Sequence, residues 1–582
     1  MASLNLTAKS YLKPLALKLA KMRAKRLLKL GRRMPVSEKT KPTLSIVMAA
    51  ENIPYVLLNE TINSHSKMPK GSVELIFVDM GNWAQPVVSL LAKLEDQEDI
   101  QILRCSGMSK NEAIASGINA AGGDFISYLP KWCSFDEGGL TALLSALQTT
   151  ANLELVYWDG FDQQASEPLS LKPAWDPILL LERDYIGTNF SLRADYWKDA
   201  SFWPQASPHA ECFDLILKVT ETLSDEQVGH LPVPVTKDYP SLGLTTQEMR
   251  VQQTHKQEIL SLHLAKIGID ATVGSTAIPD IFKVDHLNAD KVWPKVNVII
   301  PNRDQPFMIR RLLSQLLDFT DYPNFTVTVV DNDSTDPETF AAYETYQINP
   351  LNINVVSADG PFNFSRSINI GCKSVEDGHL LLLNNDIEVI SRDWLRELVT
   401  CLQFDNVGIV GAKLLFPDDT LQHAGVWIGF RNLVGHAYYK KPHNHRGYKN
   451  KLDTRHRVHC VTGAVLLVSE ECARHVGSWN EPDFAVAYND VDFCLRADNL
   501  GYKVVWTPYA TLYHHESKSR SSLKSKEHQK RFEREKHALR TIYDTPNFND
   551  SSFHPNFSKL FSHPRVSVFP KQHLIRFWSS KR

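Results

Sequence analysis

The sequence predicts an α/β protein of two similar units in tandem, each with a mixed, mostly parallel sheet flanked by helices. Strand-length apolar runs alternate with helical patterns in both halves of the chain. The same order of strands and helices occurs in residues 44–132 and again in residues 296–390. Runs such as Leu380–Leu383 are typical of strands buried on both faces, as parallel sheets require.

The first unit is predicted to span residues 44–240. Its strand patterns and its one clear helix pattern are Leu44–Ala50, Val73–Asp79, Ile100–Cys105, Asn111–Ala121 (the helix) and Asp124–Trp132. A connector that is first helical and then extended follows over residues 241–293.

The second unit is predicted to span residues 294–545, before a C-terminal extension over residues 546–582. Its strand patterns are Val296–Asp304, Phe325–Asp336, Ile353–Gly360 and Leu380–Ile390. Its helix patterns are Met308–Leu317, Trp394–Gln403 and Lys524–Tyr543.

Composition and charge narrow the class of protein. With 43% hydrophobic and 22% charged residues among 582, the chain has an ordinary globular composition and no apolar run of membrane-spanning length. Eight cysteines without any Cys-x-x-Cys pair argue against a structural zinc site and a disulfide framework. We therefore expect a cytoplasmic protein with reduced thiols and no nucleic-acid partner.

The N-terminal segment, residues 1–35, carries an unusual charge. Residues 1–33 hold ten bases and no acid, which leaves 54 bases against 66 acids in the remainder. Leu12, Leu15, Leu19 and Met22 fall at helical spacing, so a basic amphipathic helix is predicted. It suits peripheral contact with an anionic membrane at the cytoplasmic face. Docking on the acidic body of the protein, or a nucleic-acid arm, are the alternatives.

Two acids and two histidines occur close together near the end of the second unit. Asp490 and Asp492 lie in the first turn of a predicted helix that ends at Gly501. A β-rich run then leads to His514 and His515, beside a cationic loop. This combination indicates proton abstraction, a divalent metal and phosphate in one place.

A second polar cluster follows the buried run at Leu380. The run breaks into Asn384, Asn385 and Asp386. In open α/β sheets, ligands bind beyond the carboxyl ends of strands, so an acid here is well placed for a metal that bridges phosphates.

These motifs together resemble a known family. VDNDSTDPET, DGPFNFS, LLLLNNDIEVIS, GAKLLFPDDTLQHAG, NDVDFCLR and WTPYATLYHHESKSR are similar, in this order, to stretches of inverting family 2 glycosyltransferases of the GT-A fold. The whole chain resembles the tandem-domain members that assemble bacterial surface polysaccharide such as O-antigen. So many ordered motifs rarely coincide by chance.

The resemblance implies a role for each group. The donor is a nucleotide-diphosphate sugar, and the acceptor is a growing glycan, possibly linked to polyprenyl diphosphate. Asp490 is the implied general base. Asp386 is the implied ligand of Mg²⁺ or Mn²⁺, together with His514 or His515, of which His514 has the better spacing. The implied nucleotide-sugar-binding residues are Pro301, Arg303, Asp304, Asp331, Asn384, Asn385, Lys518 and Arg520.

Some positions depart from the family pattern or are weaker predictions. Asn489 stands where many relatives have Glu, and Asn384 stands where many have Asp. Asp492 caps the helix or binds acceptor hydroxyls. Gln422, His423 and His436 face the acceptor in this interpretation, although structural histidines explain them equally well.

The first unit lacks the same chemistry when it is aligned on the second. Pro130 falls on Asn384, Trp132 on Asp386 and Cys212 on Asp490, and Leu231–Ser241 offers no histidine. We therefore predict that residues 44–240 keep the fold but not metal-dependent transfer.

Two other functions compete with sugar transfer. The second unit could bind a nucleotide sugar or glycan without turning it over, as a scaffold of an assembly complex. A nucleotidyltransferase shares the α/β fold, but PNRDQPF lacks the glycines of a phosphate-binding loop.

Overall fold

The computed structural model describes residues 18, 21–49, 53–81, 83–162, 168–199, 211–239, 245–286, 293–348, 351–516, 525–567 and 575–576. Within these residues the helices are α1 (residues 21–31), α2 (Tyr55–His65), α3 (Gln85–Leu91), α4 (Lys110–Ala120), α5 (Glu137–Thr149), α6 (Pro177–Glu182), α7 (Ala194–Lys198), α8 (Glu211–Thr220), α9 (Thr246–Lys266), α10 (Pro306–Asp318), α11 (Pro337–Ile348), α12 (Phe364–Lys373), α13 (Trp394–Thr400), α14 (Glu470–Val476), α15 (Asn489–Asn499) and α16 (Lys526–Tyr543).

The strands before the second unit are β1 (Leu44–Ala49), β2 (Val73–Asp79), β3 (Ile100–Arg104), β4 (Phe125–Tyr128), β5 (Cys133–Phe135), β6 (Leu155–Asp162), β7 (Leu169–Ser170), β8 (Phe190–Arg193), β9 (Val228–Asp238), β10 (Ala271–Ser275) and β11 (Phe282–His286). Those that follow are β12 (Val296–Asn302), β13 (Phe325–Asp331), β14 (Asn354–Ser357), β15 (His379–Leu383), β16 (Ile387–Val389), β17 (Val407–Leu415), β18 (Leu421–His423), β19 (Val426–Ile428), β20 (Val434–His436), β21 (His456–Val458), β22 (Val465–Val468) and β23 (Lys503–His514).

Two large sheets repeat one topology. The first has the strand order β3-β2-β1-β4-β8-β6-β9-β5, and the second has β14-β13-β12-β15-β22-β17-β23-β16. Each strand of the first sheet therefore has a counterpart at the same place in the second. The predicted α/β architecture with two tandem mixed sheets is confirmed.

The pairing directions agree with that prediction. Parallel pairing joins β1 to β2 and β4, and β12 to β13 and β15. The long pairings of β6 with β9 and of β17 with β23 are parallel as well. Shorter antiparallel pairings, such as those of β22 with β15 and β17, make both sheets mixed.

A helix packs against each sheet through an equivalent glycine. A Cβ atom on Gly117 of α4 would overlap the side chain of Val47, and one on Gly371 of α12 would overlap that of Ile299. Only glycine permits so close an approach of helix to sheet. The repeat therefore extends to the packing of its helices.

Apolar packing is continuous between the two sheets. One buried cluster contains residues from both, together with Trp175 before α6, Leu260 of α9, Phe282 of β11 and Trp394 of α13. The segment after α16 also contacts the first sheet, because Asn556 Nδ2 donates to the carbonyl of Pro232 at 3.1 Å. The two sheets therefore share one core.

Helix α1 docks on the first unit. Ala24, Leu27 and Gly31 are buried at helical spacing, and a Cβ atom on Gly31 would overlap the carbonyl oxygen of Gly138 in α5. These buried positions are covered by the protein itself, whereas Met22 is 44% exposed and Leu12, Leu15 and Leu19 lie outside the described residues. Lys21, Lys25, Arg26, Lys29, Arg32 and Arg33 remain exposed.

Candidate functional site

Asp386 lies in the short loop that joins β15 to β16. The Asn384 backbone N–H donates to the carbonyl of Ala464 at 3.0 Å, which fixes the start of this loop. Asp386 is buried, at 7% exposure. Because Ile387 pairs with His514 across β16 and β23, the imidazole Nε2 of His514 lies 3.1 Å from Asp386 Oδ1.

Gln422 sets the tautomer of His514. Its amide nitrogen faces Glu516 Oε2 at 3.3 Å, and its oxygen lies 2.6 Å from His514 Nδ1. His514 Nδ1 therefore carries a proton and donates it to that oxygen. The lone pair of Nε2 is left toward the Asp386 carboxylate, an arrangement in which a proton or a cation must lie between the two atoms.

His515 points to a different set of groups. Its Nε2 lies 2.6 Å from Glu388 Oε2 and 3.2 Å from Arg311 Nη1. Neighbouring residues of an extended chain face opposite sides, so the two histidines separate at the end of β23. Only His514 contacts Asp386 through its side chain, whereas His515 bonds to Asp386 through its backbone N–H.

Asp490 stands in the first turn of α15. Its Oδ2 accepts the Gly463 N–H at 3.0 Å, and its Oδ1 accepts the Val491 N–H at 2.9 Å. Burial raises the pKa of Asp490 above its ordinary value of 3.8, although the two backbone N–H groups act in the opposite direction. A half-buried carboxylate with a raised pKa is suited to accept a proton.

Asp492 is held by other side chains. Its Oδ2 accepts from Arg496 Nε at 2.9 Å, and its Oδ1 accepts from the Tyr543 hydroxyl at 2.6 Å. The residue is 2% exposed. The Tyr543 contact ties α15 to α16, and the Arg496 contact lies within α15, so both are structural.

The predicted nucleotide residues lie at the ends of β12 and β13. Asp304 Oδ1 accepts the N–H groups of Thr335 and Asp336 at 2.7 and 2.9 Å, and these bonds lower the pKa of Asp304. Asp331 accepts the Ser334 N–H at 3.1 Å and the Tyr343 hydroxyl at 2.8 Å. Both acids therefore shape the 332–336 loop.

The remaining residues of this group lie beside them. Pro301 is half-buried on β12 and Arg303 is exposed beyond it. Asn385 Nδ2 donates to Asn302 Oδ1 at 2.7 Å, which joins the β15 loop to the end of β12. Lys518 and Arg520, predicted to cover the diphosphate, lie outside the described residues.

Gln422, His423 and His436 form a chain of contacts that leads away from His514. His423 Nε2 accepts the Thr462 N–H at 3.4 Å, so its Nδ1 donates to His436 Nδ1 at 2.9 Å. Burial, with His436 and His514 nearby, holds the pKa of His423 well below 6.5. His423 is thus neutral and links the Thr462 N–H to His436. The Gln422 side chain bonds to His514, the proposed metal ligand.

Sequence reasoning missed Gly463 and Tyr343. Gly463 supplies the N–H that holds Asp490, and Tyr343 connects Asp331 with Asn302 Nδ2, which lies 2.6 Å from its hydroxyl. The Thr462-Gly463 pair just before an apolar strand run was the available signal for the first. Tyr343 lies on a helix with no pattern that separates it from a core aromatic.

The equivalent positions of the first unit carry different residues. Cys133 pairs with Asp238 across β5 and β9, as Ile387 pairs with His514 across β16 and β23. Trp132 therefore occupies the place of Asp386, and Asp238 the place of His514. Cys212 lies in α8, the helix before β9, as Asp490 lies in α15, the helix before β23.

A buried Asp159, His230 and His554 cluster is another arrangement with metal-ligand chemistry in the described chain. The Asn556 N–H donates to His554 Nδ1 at 3.1 Å, so His554 Nε2 carries a proton and donates it to Asp159 Oδ2 at 2.9 Å. A metal would need that nitrogen unprotonated. The cluster is therefore a hydrogen-bonded clamp between the first sheet and the C-terminal segment.

The chain is similar to several known proteins. Residues 294–535 match the family model described as "Glycosyltransferase like family 2". The chain is 29% identical over 548 residues to the uncharacterized protein y4gI of Sinorhizobium fredii, covering 91% of this chain and 60% of that protein. It is 32% identical over 491 residues to the O-antigen biosynthesis protein RfbC of Myxococcus xanthus, covering 82% and 38%. The chain thus spans less than two thirds of either relative.

Solved structures match more distantly. GalNAc-T7 with UDP, GalNAc and Mn²⁺ matches 40% of this chain and 45% of that chain, at 14% identity and a TM-score of 0.33. The mannosyltransferase PcManGT from Pyrobaculum calidifontis, in complex with GDP-Man and Mn²⁺, matches 51% and 79%, at 15% identity and a TM-score of 0.31. Likenesses this weak carry no argument about the site. No helix in the described part of the chain is both long and apolar enough to cross a bilayer.

Proposed function

We propose, from the premise that residues 294–535 form a family 2-like glycosyltransferase domain, that this protein transfers a sugar from a nucleotide-diphosphate donor to a glycan with inversion. One observation carries the proposal. Gly463 N–H binds the Asp490 carboxylate, and the carbonyl of the next residue, Ala464, binds the Asn384 N–H at the start of the Asp386 loop. The proton acceptor and the cation candidate are thus held by adjacent residues of one segment.

Asp386 and His514 fit a divalent cation. Cis ligands of an octahedral ion at about 2.1 Å lie about 3 Å apart, and the two ligand atoms here are 3.1 Å apart. The hydrogen bond from His514 Nδ1 to Gln422 orients the ring for such binding. Mg²⁺ or Mn²⁺, when bound, would neutralise the departing diphosphate.

Asp490 acts as the general base in this proposal. Its carboxylate takes the proton of the acceptor hydroxyl while that oxygen attacks the anomeric carbon, and the nucleoside diphosphate leaves from the opposite face. A single displacement of this kind inverts the anomeric centre. The raised pKa of Asp490 strengthens it as a base.

The donor nucleotide is proposed to bind at the ends of β12 and β13. Pro301, Arg303 and the 332–336 loop shaped by Asp304 and Asp331 surround this edge. Lys518 and Arg520 are proposed to cover the diphosphate. The acceptor class, a surface glycan, rests on the resemblance and on the similarity to the O-antigen biosynthesis protein of Myxococcus xanthus.

The first unit is proposed to lack transfer activity of its own. Trp132 cannot bind a metal and Cys212 replaces the base, although Asp238 occupies the place of the metal-binding imidazole. If this is right, Asp490→Asn in the full chain lowers turnover by about 10²- to 10⁴-fold, and Asp386→Asn lowers it as well. Turnover that is unchanged in both variants would place activity in the first unit.

Peripheral contact with an anionic membrane is proposed to depend on the charge of α1. Ala24, Leu27 and Gly31 are buried, whereas the lysines and arginines named above are exposed. Each such charge near an anionic leaflet contributes about 1 kcal/mol. The membrane proposed is the cytoplasmic face of the inner membrane.

A binding role without turnover is the second candidate. Asn384 and Asn489 are amides at positions where relatives have carboxylates, and Asn489 Nδ2 serves locally by donating to the Val486 carbonyl at 2.7 Å. The deciding experiment is a panel of nucleotide sugars with Mg²⁺, Mn²⁺ or EDTA, scored for nucleotide release and transfer. Binding without release under every condition would support the scaffold and contradict the enzyme.

A further inference from the structure

The first unit contacts the edge of the second sheet with two buried carboxylates. Strand β21 pairs with β23 on one side only. On its other side, Glu182 Oε2 accepts the Arg455 N–H at 2.7 Å, and Asp176 Oδ2 accepts the Arg457 N–H at 2.9 Å. Acidic side chains of the first unit therefore complete the hydrogen bonding of this edge.

Each of these two carboxylates is also held by a second hydrogen bond. Asp176 is the N-cap of α6, where its Oδ1 accepts the Leu179 N–H at 3.0 Å. Glu182 ends the same helix, and its Oε1 accepts from Arg455 Nη1 at 2.6 Å. Asp176 and Glu182 are 1% and 0% exposed. One short helix thus presents two immobile acceptors to the edge of β21.

The anchored strand leads directly to the candidate site. Beyond β21, the Thr462 N–H donates to His423, the Gly463 N–H holds Asp490, and the Ala464 carbonyl accepts from Asn384. Residues 459–464 therefore set the distance between the Asp490 carboxylate and the pair formed by Asp386 and His514.

We infer that Asp176 and Glu182 of the first unit are positioning residues for the transfer reaction, acting through strand β21 on the amide that holds Asp490. This inference rests on the proposed function and gives the first unit a defined part in it. A unit without the residues of the candidate site is then required for turnover. Displacements of about 1 Å at reacting groups cost on the order of 10²-fold in rate.

The test uses the full chain with Asp176→Ala, Glu182→Ala, Asp176→Asn and a matched control, Asp225→Ala. Asp225 belongs to the same interface, where it accepts from Arg457 Nη1 at 2.7 Å and from Trp175 Nε1 at 3.0 Å, so it holds two side chains and not the strand backbone. Turnover is measured with whichever nucleotide sugar the panel identifies, per folded molecule, over a range of pH.

We expect about 10- to 100-fold lower kcat for the two alanine variants with donor KM unchanged. The acid limb of the pH profile should move to higher pH, because a loosened Gly463 N–H lowers the pKa of Asp490 less. Asp176→Asn keeps one acceptor oxygen for either the Arg457 or the Leu179 N–H and should recover part of kcat, whereas Asp225→Ala should resemble the unaltered protein. Equal kcat per folded molecule and an unmoved pH profile in both alanine variants would overturn the inference.

Hydrogen exchange separates this inference from the proposed function. Backbone amides of residues 455–463 should exchange faster in Asp176→Ala and Glu182→Ala than in Asp225→Ala, whether or not any donor is turned over. Faster exchange with no turnover in any protein, the unaltered one included, would support the coupling of Asp176 and Glu182 to the Gly463 amide and contradict the proposed activity. Unchanged exchange would remove the link itself.

Discussion

Replacing Asp490 with Asn tests the proposed chemistry most directly. The change removes the proton acceptor and keeps the shape of the side chain. General-base catalysis contributes about 10²- to 10⁴-fold, so kcat should fall by that factor, which is about 3 to 5 kcal/mol in the barrier.

The structure also predicts how the fold responds to this change. Gly463 and Val491 both donate to the carboxylate, and an amide offers only one oxygen, so one N–H loses its partner at a cost of about 1–3 kcal/mol. Against this, the raised pKa shows that folding disfavours the ionised form at neutral pH. The two effects oppose, so the variant should melt close to the unaltered protein.

The assay is release of nucleotide from the donor at saturating concentration, with circular dichroism to confirm folding. In the unaltered protein, kcat should fall as the pH drops through the pKa of Asp490, which lies above 3.8, because the protonated acid cannot act as a base. A folded Asp490→Asn protein that retains kcat within threefold would refute the assignment.

Three further predictions concern the metal pair, the helix anchor and the N-terminal helix. His514→Ala should weaken Mn²⁺ binding by more than the 10- to 100-fold typical of outer contacts, whereas His515→Ala should change it little; equal losses in a titration of metal-dependent activity would contradict this. Asp492→Asn should lower the free energy of unfolding by about 1.5–3 kcal/mol in denaturant titrations and leave kcat per folded molecule unchanged; a specific loss of kcat would make it catalytic. Reversing Lys25 and Lys29 to Glu should weaken binding to anionic vesicles by at least about 2 kcal/mol, roughly 30-fold, and binding that persists would exclude a role for α1.

Much of the fold could be predicted because burial on both faces leaves a visible apolar run. The apolar run that starts at Leu380 predicted strand β15, and the polar residues after it predicted the Asp386 loop; both lie where they were expected. The connector was expected to be helical and then extended, and it contains α9 followed by the β10–β11 hairpin. The antiparallel partners of β22 could not be predicted, since a buried run does not reveal its neighbours.

The candidate site was only partly predictable, because some of its geometry depends on pairing register. Alternation along β23 implies that His514 and His515 face opposite sides, but the pairing of Ile387 with His514 decides which one meets Asp386. Gly463 acts through its backbone N–H, which almost every residue type has, so the sequence does not reveal this role. The contacts of Asp176 and Glu182 with the second sheet join residues about 280 positions apart, beyond any local pattern.

The glycine contact between α1 and α5 has a consequence for orientation. Gly31 and Gly138 bring the two helix backbones together so closely that neither helix can turn about its axis without a clash. The row of lysines and arginines on α1 therefore keeps a fixed orientation relative to the rest of the molecule. Replacing either glycine with alanine should leave turnover in solution unchanged. It should make the orientation of the protein on an anionic membrane less uniform.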